Sequence, residues 1–189
     1  MQKSQSPLIQ RLRSILKNKI KGDIADIFII GSALKNKLSP RDVDIIVLFK
    51  DKNLKEVEEK LYNIKESLDF IREAHIEPIF SESMFTEKIF ISIMHEGFSI
   101  KENEFVSKII GLESLSIFTY RLENLSKLDK IRFAQTIYGR KKDGLLYQEN
   151  GISLGQGSFM VSIEKEEIFK ELMKKWKIRY KSKRAFVNF

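Results

Sequence analysis

Apolar residues recur at helical intervals through residues 7–21, where Leu8, Ile9, Leu12, Ile15, Leu16 and Ile20 share one face. That spacing predicts an amphipathic helix. Residues 25–30 read as a strand ending at Gly31. Val43–Phe49 is an almost unbroken apolar run, the pattern of a strand covered on both faces. Helical spacing returns over 54–71, through Val57, Leu61, Ile64, Leu68 and Ile71, and a third strand is expected at Ala74–Phe80. Ser81 or Ser83 is placed to cap a helix running to about Met94, with Gly97 as its stop. The order helix, strand, turn, strand, helix, strand fits many α/β folds.

The second half reads differently. Ser126-Lys-Leu-Asp129 has the form of a capping box with Asp in place of Glu. The helix behind it runs to Tyr138, and Gly139 follows as its end. Residues 145–147 and 159–163 are strand candidates on either side of the glycine-rich GISLGQGS. That segment lacks the Lys-Ser/Thr ending of a phosphate loop, so it reads as a hairpin turn. An amphipathic helix is expected over 164–176, with Ile168, Phe169, Leu172, Met173 and Trp176 inward. Two short strands, 177–181 and 184–187, close the chain around Ser182-Lys183. Helices followed by a basic hairpin suggest a winged-helix-like module.

The richest chemistry lies where the first strand ends and the second begins. Gly31-Ser32 stands at the close of one apolar run, and Asp42 and Asp44 sit one residue apart at the head of the next. On a strand, residues i and i+2 face the same way, about 7 Å apart. Two carboxylates held side by side repel unless a cation lies between them. Mg²⁺ is bound by one or two carboxylates together with phosphate oxygens. Gly31 permits close backbone approach, and Ser32 offers a hydroxyl and an N–H at a helix N-terminus. The competing reading of each is plain: a helix cap for Ser32, and a surface pairing with Arg41 for Asp42.

A Gly-Ser turn, about a dozen residues, then Asp-x-Asp on the next strand resembles the nucleotidyltransferase superfamily that includes DNA polymerase beta, the CCA-adding enzymes and the minimal nucleotidyltransferases. The resemblance covers roughly the first half of the chain. Many members carry Arg-Gly after the Ser, where this chain has Lys35 and Asn36; Lys meets a phosphate without the bidentate fork of Arg. The resemblance implies three carboxylates holding two Mg²⁺ ions, with Mn²⁺ as the alternative. Asp42 and Asp44 supply two, and Glu77 in HIEPIF is the choice for the third, with Glu73 and Asp69 as alternatives. Against that choice, Pro78 marks an edge strand on which Glu77 would be a plain polar residue. Gly31, Ser32 and Lys35 are the expected nucleotide contacts, with Lys37 a further candidate. His75 and His95 do not have the spacing of a metal pair and read as structural or acceptor-side residues.

Composition then adds one asymmetry. The net charge is +8. Residues 1–104 hold 17 Lys+Arg against 17 Asp+Glu, and residues 105–189 hold 17 against 9, so the whole excess lies in the second half. A balanced half joined to a basic one suggests a polyanion partner; a Lys-rich solubility surface is the competing reading. Arg140, Lys141, Lys142, Lys177, Arg179, Lys181, Lys183 and Arg184, with Trp176 and Tyr180 interleaved, form the candidate nucleic-acid surface. Trp176 reads as core before it reads as a stacking platform. Hydrophobic content of 42% with 32% charged residues describes a globular chain. No apolar run approaches the ~18–20 residues that span a bilayer. The N-terminus has no signal-peptide core, and there is no cysteine, so a cytoplasmic location is expected.

The expected fold class is therefore α/β (α+β). A nucleotidyltransferase-like palm, with a mixed sheet flanked by helices over residues 1–104, precedes a smaller basic α+β domain over 105–189. The expected activity is transfer of an NMP or dNMP from a nucleoside triphosphate such as ATP to a hydroxyl at a nucleic-acid end. Two alternatives stand beside it: a protein or small-molecule acceptor, as in toxin–antitoxin pairs, and a non-catalytic nucleic-acid-binding protein on the same scaffold.

Overall fold

The structure is a computed structural model that describes residues 7–34, 43–51 and 54–188. It divides into two compact units, one through Gly111 and one from Leu112 on. The first unit thus keeps residues 105–111, which the charge balance had assigned to the second half. Residues Glu104–Phe105 pair into the first sheet, and backbone pairing holds a segment to its sheet whatever its charge.

In the first unit, α1 (Pro7–Leu16) leads into β1 (Ile24–Ile30), a 3₁₀ turn (Gly31–Leu34), β2 (Val43–Phe49), α2 (Leu54–Glu66) and β3 (Ala74–Phe80). Then come α3 (Ile89–Glu96), β4 (Phe98–Ser99), β5 (Glu104–Phe105) and α4 (Val106–Ile109). The five strands form one mixed sheet in the order β3-β2-β1-β4-β5. β1 and β2 are antiparallel, while β2 and β3 are parallel and joined through α2. Successive residues of β2 point to opposite faces, and both faces are covered. Val43, Ile45, Val47 and Phe49 pack with Ile9 and Leu12 of α1 and Val57 and Ile64 of α2. Ile46 and Leu48 pack on the other side with Phe28, Ile30, Ile79 and Ile93 of α3. The unbroken apolar run is the consequence of this double burial.

Several boundaries differ from those that periodicity predicts. α2 stops at Glu66; a turn carries the chain over Leu68, whose burial sustains the helical spacing beyond the helix itself. The helix expected from 81 or 83 is split into a 3₁₀ turn at Met84–Thr86 and α3, and the Ser83 side chain makes no capping bond.

The second unit is α+β: β6 (Glu113–Arg121), α5 (Lys127–Tyr138), α6 (Leu145–Gln148), β7 (Ile152–Gly155), β8 (Ser158–Ser162), α7 (Glu166–Lys175) and β9 (Arg179–Val187). Its sheet has the order β7-β8-β6-β9, antiparallel throughout. The three helices pack on one face. Phe133 and Ile137 of α5, Leu146 of α6, and Phe169 and Met173 of α7 meet Phe118, Tyr120, Phe159 and Val161. A sheet-centred core of this kind is not a winged helix, which builds its core from helices. The expected strand at 145–147 is α6, a short apolar run buried by Leu146 rather than by strand pairing. The two expected closing strands are one, because Ser182 and Lys183 hold register with Phe118 and Ile117 of β6 instead of turning. GISLGQGS is the predicted hairpin, with Gly155 and Gly157 at positive φ. Ser126 caps α5: its Oγ accepts from the Asp129 amide at 3.2 Å and donates to the Asp129 carboxylate at 2.7 Å. Among the described residues, no helix is long and apolar enough to cross a membrane.

Candidate active site

The register of the first sheet fixes which side chains meet. Asp44 is cross-strand partner to Ile30, the last residue of β1. On its other side it is level with His75 of β3. Glu77 is level with Ile46, one side-chain repeat further along the same face. In a parallel pair, residues in register point the same way, so Asp44, His75 and Glu77 lie on one face. From a strand spacing of about 4.8 Å and two residues of rise, the Cα atoms of Asp44 and Glu77 lie roughly 8 Å apart. Asp44 is half-buried, whereas His75 and Glu77 are exposed. β3 is the edge strand, which accommodates Pro78, a residue with no N–H for a ladder.

Gly31 closes the site on the β1 side. Its φ is +78°, and a Cβ built on it would stand 2.8 Å from Asp44 Oδ2. A side chain there would press on the carboxylate. Glycine therefore serves two needs, the left-handed backbone of the turn and the space beside Asp44. The turn that follows carries Ser32. The Ser32 side chain, Lys35, Lys37 and Asp42 lie outside the described residues. Among the described residues, no three carboxylate or imidazole groups converge as a metal site. In the sequence Asp42 stands two residues before Asp44. His75 is the residue whose position the sequence does not reveal, since its place beside Asp44 depends on the β2–β3 register.

Further along the same sheet, level with Leu48 rather than Asp44, Asp26 on β1 organises the β4–β5 turn. It accepts from Ser99 Oγ at 2.5 Å and the Lys101 amide at 3.1 Å. Burial pushes its carboxyl above the ordinary range, against those same hydrogen bonds. His95, the other histidine, is buried in α3.

Strand alternation sorts the candidate nucleic-acid residues of the second unit. Arg179, Lys181 and Lys183 are exposed and share one face of β9. Arg184 points to the helix-covered face, where its Nη2 donates to Glu166 Oε2 at 2.9 Å. Glu166 is buried and also accepts from Ser116 Oγ at 3.1 Å. Burial alone would raise the Glu166 carboxyl, but Arg184 and Lys170 outweigh it and hold it below the ordinary range. Arg184 is thus tied into the interior of its unit. Arg140, Lys141 and Lys142 are exposed in the loop between α5 and α6. Lys177 sits at positive φ in the turn before β9. Trp176 packs edge-on against Phe133, and Tyr180 lies against Phe118, so both aromatics belong to the core.

A family model described as a nucleotidyltransferase domain matches residues 9–114, more than half of the chain. No curated protein and no solved structure gives a match.

Proposed function

The chain belongs to the nucleotidyltransferase domain family, and from that premise we propose that it transfers a nucleoside monophosphate from a nucleoside triphosphate to a hydroxyl of a nucleic-acid end. The observation that carries this reading is the clearance Gly31 leaves beside Asp44, on the face that also holds Glu77. The donor set fits hard divalent cations, because carboxylate oxygens suit Mg²⁺ and Mn²⁺. Asp42, Asp44 and Glu77 would hold two such ions, which when bound activate the acceptor oxygen and neutralise triphosphate charge.

The remaining work belongs to the chain itself. The turn at Gly31-Ser32 brings backbone N–H groups toward the triphosphate, a natural seat for its oxygens, and Lys35 adds a cation to the same polyphosphate. The acceptor oxygen forms a bond to the α-phosphorus as the bond to the bridging oxygen of the β-phosphate breaks. Pyrophosphate leaves with that electron pair, and the hydroxyl proton passes to solvent. Catalysis of this kind is largely positioning and charge stabilisation, which suits carboxylates such as Asp44 and Glu77 held on one face of paired strands. No nucleophilic side chain is required, and neither Asp is assigned that role. The excess positive charge of the second half supports a nucleic-acid acceptor. Asp44→Asn should lower transfer by about a thousandfold while the melting temperature holds; turnover close to the parent's would overturn the reading.

A further inference from the structure

The face of the second sheet opposite its helices carries cations at one end. Arg121 on β6 stands directly across from Arg179 on β9, Thr119 across from Lys181, and Ile117 across from Lys183. Arg121, Thr119, Arg179, Lys181 and Lys183 are all exposed. Along β9 the cations recur every second residue, roughly 6.7 Å apart. Like charges directly opposite each other destabilise a sheet, so the Arg121–Arg179 pair costs stability unless an anion lies against it. The nearest carboxylate in sequence, Glu123, pairs with Arg121 at 3.6 Å, but both side chains are at least three-quarters exposed and such a pair is worth little. Glu113 is the one strand carboxylate on this face among the described residues, at the far end of β6, about 27 Å from Arg121.

Beside the cations lies a strip of apolar side chains with no helix of this unit over them. Ile117 and Met160 are half-exposed cross-strand partners, and Ile152, 46% exposed, is level with Met160. A row of cations next to an apolar strip matches a strand of nucleic acid whose phosphates and bases lie on opposite sides of one backbone. In a duplex the bases are stacked inside, and groove entry takes a helix or a projecting ribbon; a flat sheet face offers neither. Lysines on an edge strand also discourage aggregation, but that does not account for Arg121, which sits on β6 between β8 and β9.

We propose that this end of the sheet seats a single-stranded nucleic acid, its phosphates on Arg121, Arg179, Lys181 and Lys183 and its bases over Ile117, Met160 and Ile152. This rests on the acceptor class of the preceding reading and adds the form of that acceptor and the surface that holds it.

The test is fluorescence anisotropy of short labelled oligo(U) and oligo(dT), and of a duplex of equal length, across a salt series with the full chain. The variant Arg179→Gln/Lys181→Gln/Lys183→Gln should weaken single-strand binding at least tenfold. It should also reduce the slope of log K against log salt by about 2, from about 0.7 per lost phosphate contact. Lys130→Gln/Lys174→Gln/Lys175→Gln, which removes equal charge from exposed positions on the helices, should change binding by less than half as many decades. Met160→Ser leaves every charge in place and should weaken binding severalfold. Equal losses in the two triple variants, preference for the duplex, or binding only to anionic lipid vesicles would each overturn the assignment. The assay contains no nucleoside triphosphate, and Asp44→Asn should bind as the parent does. Failure of catalysis and failure of this surface are therefore separate results.

Discussion

Gly31 and Asp44 are fitted to each other: the Cβ that any other residue would place at position 31 falls 2.8 Å from Asp44 Oδ2, and the backbone there has φ +78°. Gly31→Ala should then cost about 1–3 kcal/mol of stability from the strained backbone alone. Displacing the carboxylate by a fraction of an ångström should lower transfer by about a hundredfold, as small misplacements of catalytic groups do. Melting temperature and kcat/KM measured together separate the two effects. A fully active Gly31→Ala protein would mean that Asp44 does not need its position.

Asp44→Asn removes a negative charge without changing shape. Losing about 4 kcal/mol of charge stabilisation corresponds to roughly a thousandfold in rate at 1.4 kcal/mol per decade. Chelation with EDTA should have the same effect on the parent protein, and added Mg²⁺ should restore it. Activity that survives chelation would contradict the proposed role of the carboxylates.

Glu77 is distinguished from its neighbours by register rather than by type. It shares the Asp44 face on the adjoining strand, whereas Glu73 precedes β3. Glu77→Gln should reduce transfer about a hundredfold, some 2.7 kcal/mol, and Glu73→Gln should leave it within a fewfold. The reverse order of effects would move the third carboxylate to Glu73.

Two buried carboxylates should give stability opposite dependences on pH. Glu166 has a folded pKa below its ordinary 4.5. Its contribution is complete above 4.5 and is lost as pH falls through the folded value. Glu166→Gln should cost about 1.5–3 kcal/mol at neutral pH by removing the carboxylate that the half-buried Arg184 donates to, and the deficit should shrink in acid. Asp26 has a folded pKa above its ordinary 3.8. Its protonation favours the folded state, fully below 3.8, and that gain is lost as pH rises through the folded value. Asp26→Asn should therefore improve relative to the parent as pH rises above 3.8. Urea unfolding of the parent and both variants at pH values below and above 3.8 and 4.5 checks the two signs.

Much of the first unit is legible in the sequence because its constraints are local. Val43–Phe49 is apolar on both faces, and Gly31-Ser32 and Asp44 carry their chemistry in residue type and interval. What is not legible depends on pairing between distant segments. The proximity of His75 to Asp44 requires the parallel register of β2 and β3. Residues 145–147 are apolar enough for a strand, and only packing against Phe118 and its neighbours decides that they coil into α6. Ser182-Lys183 has turn chemistry, yet nine consecutive pairs with β6 keep the backbone extended through it. Arg184 reads as one more surface cation until Glu166, 18 residues earlier, is seen to take it inward.

The most direct test of the account is incorporation of label from each α-labelled NTP and dNTP, with Mg²⁺ and a mixed RNA, DNA and protein acceptor pool, beside the Asp42→Asn/Asp44→Asn protein. The account predicts label in a nuclease-sensitive product with the parent and none with the variant. Label of equal amount with both proteins, or label confined to a nuclease-resistant protein fraction, would contradict it.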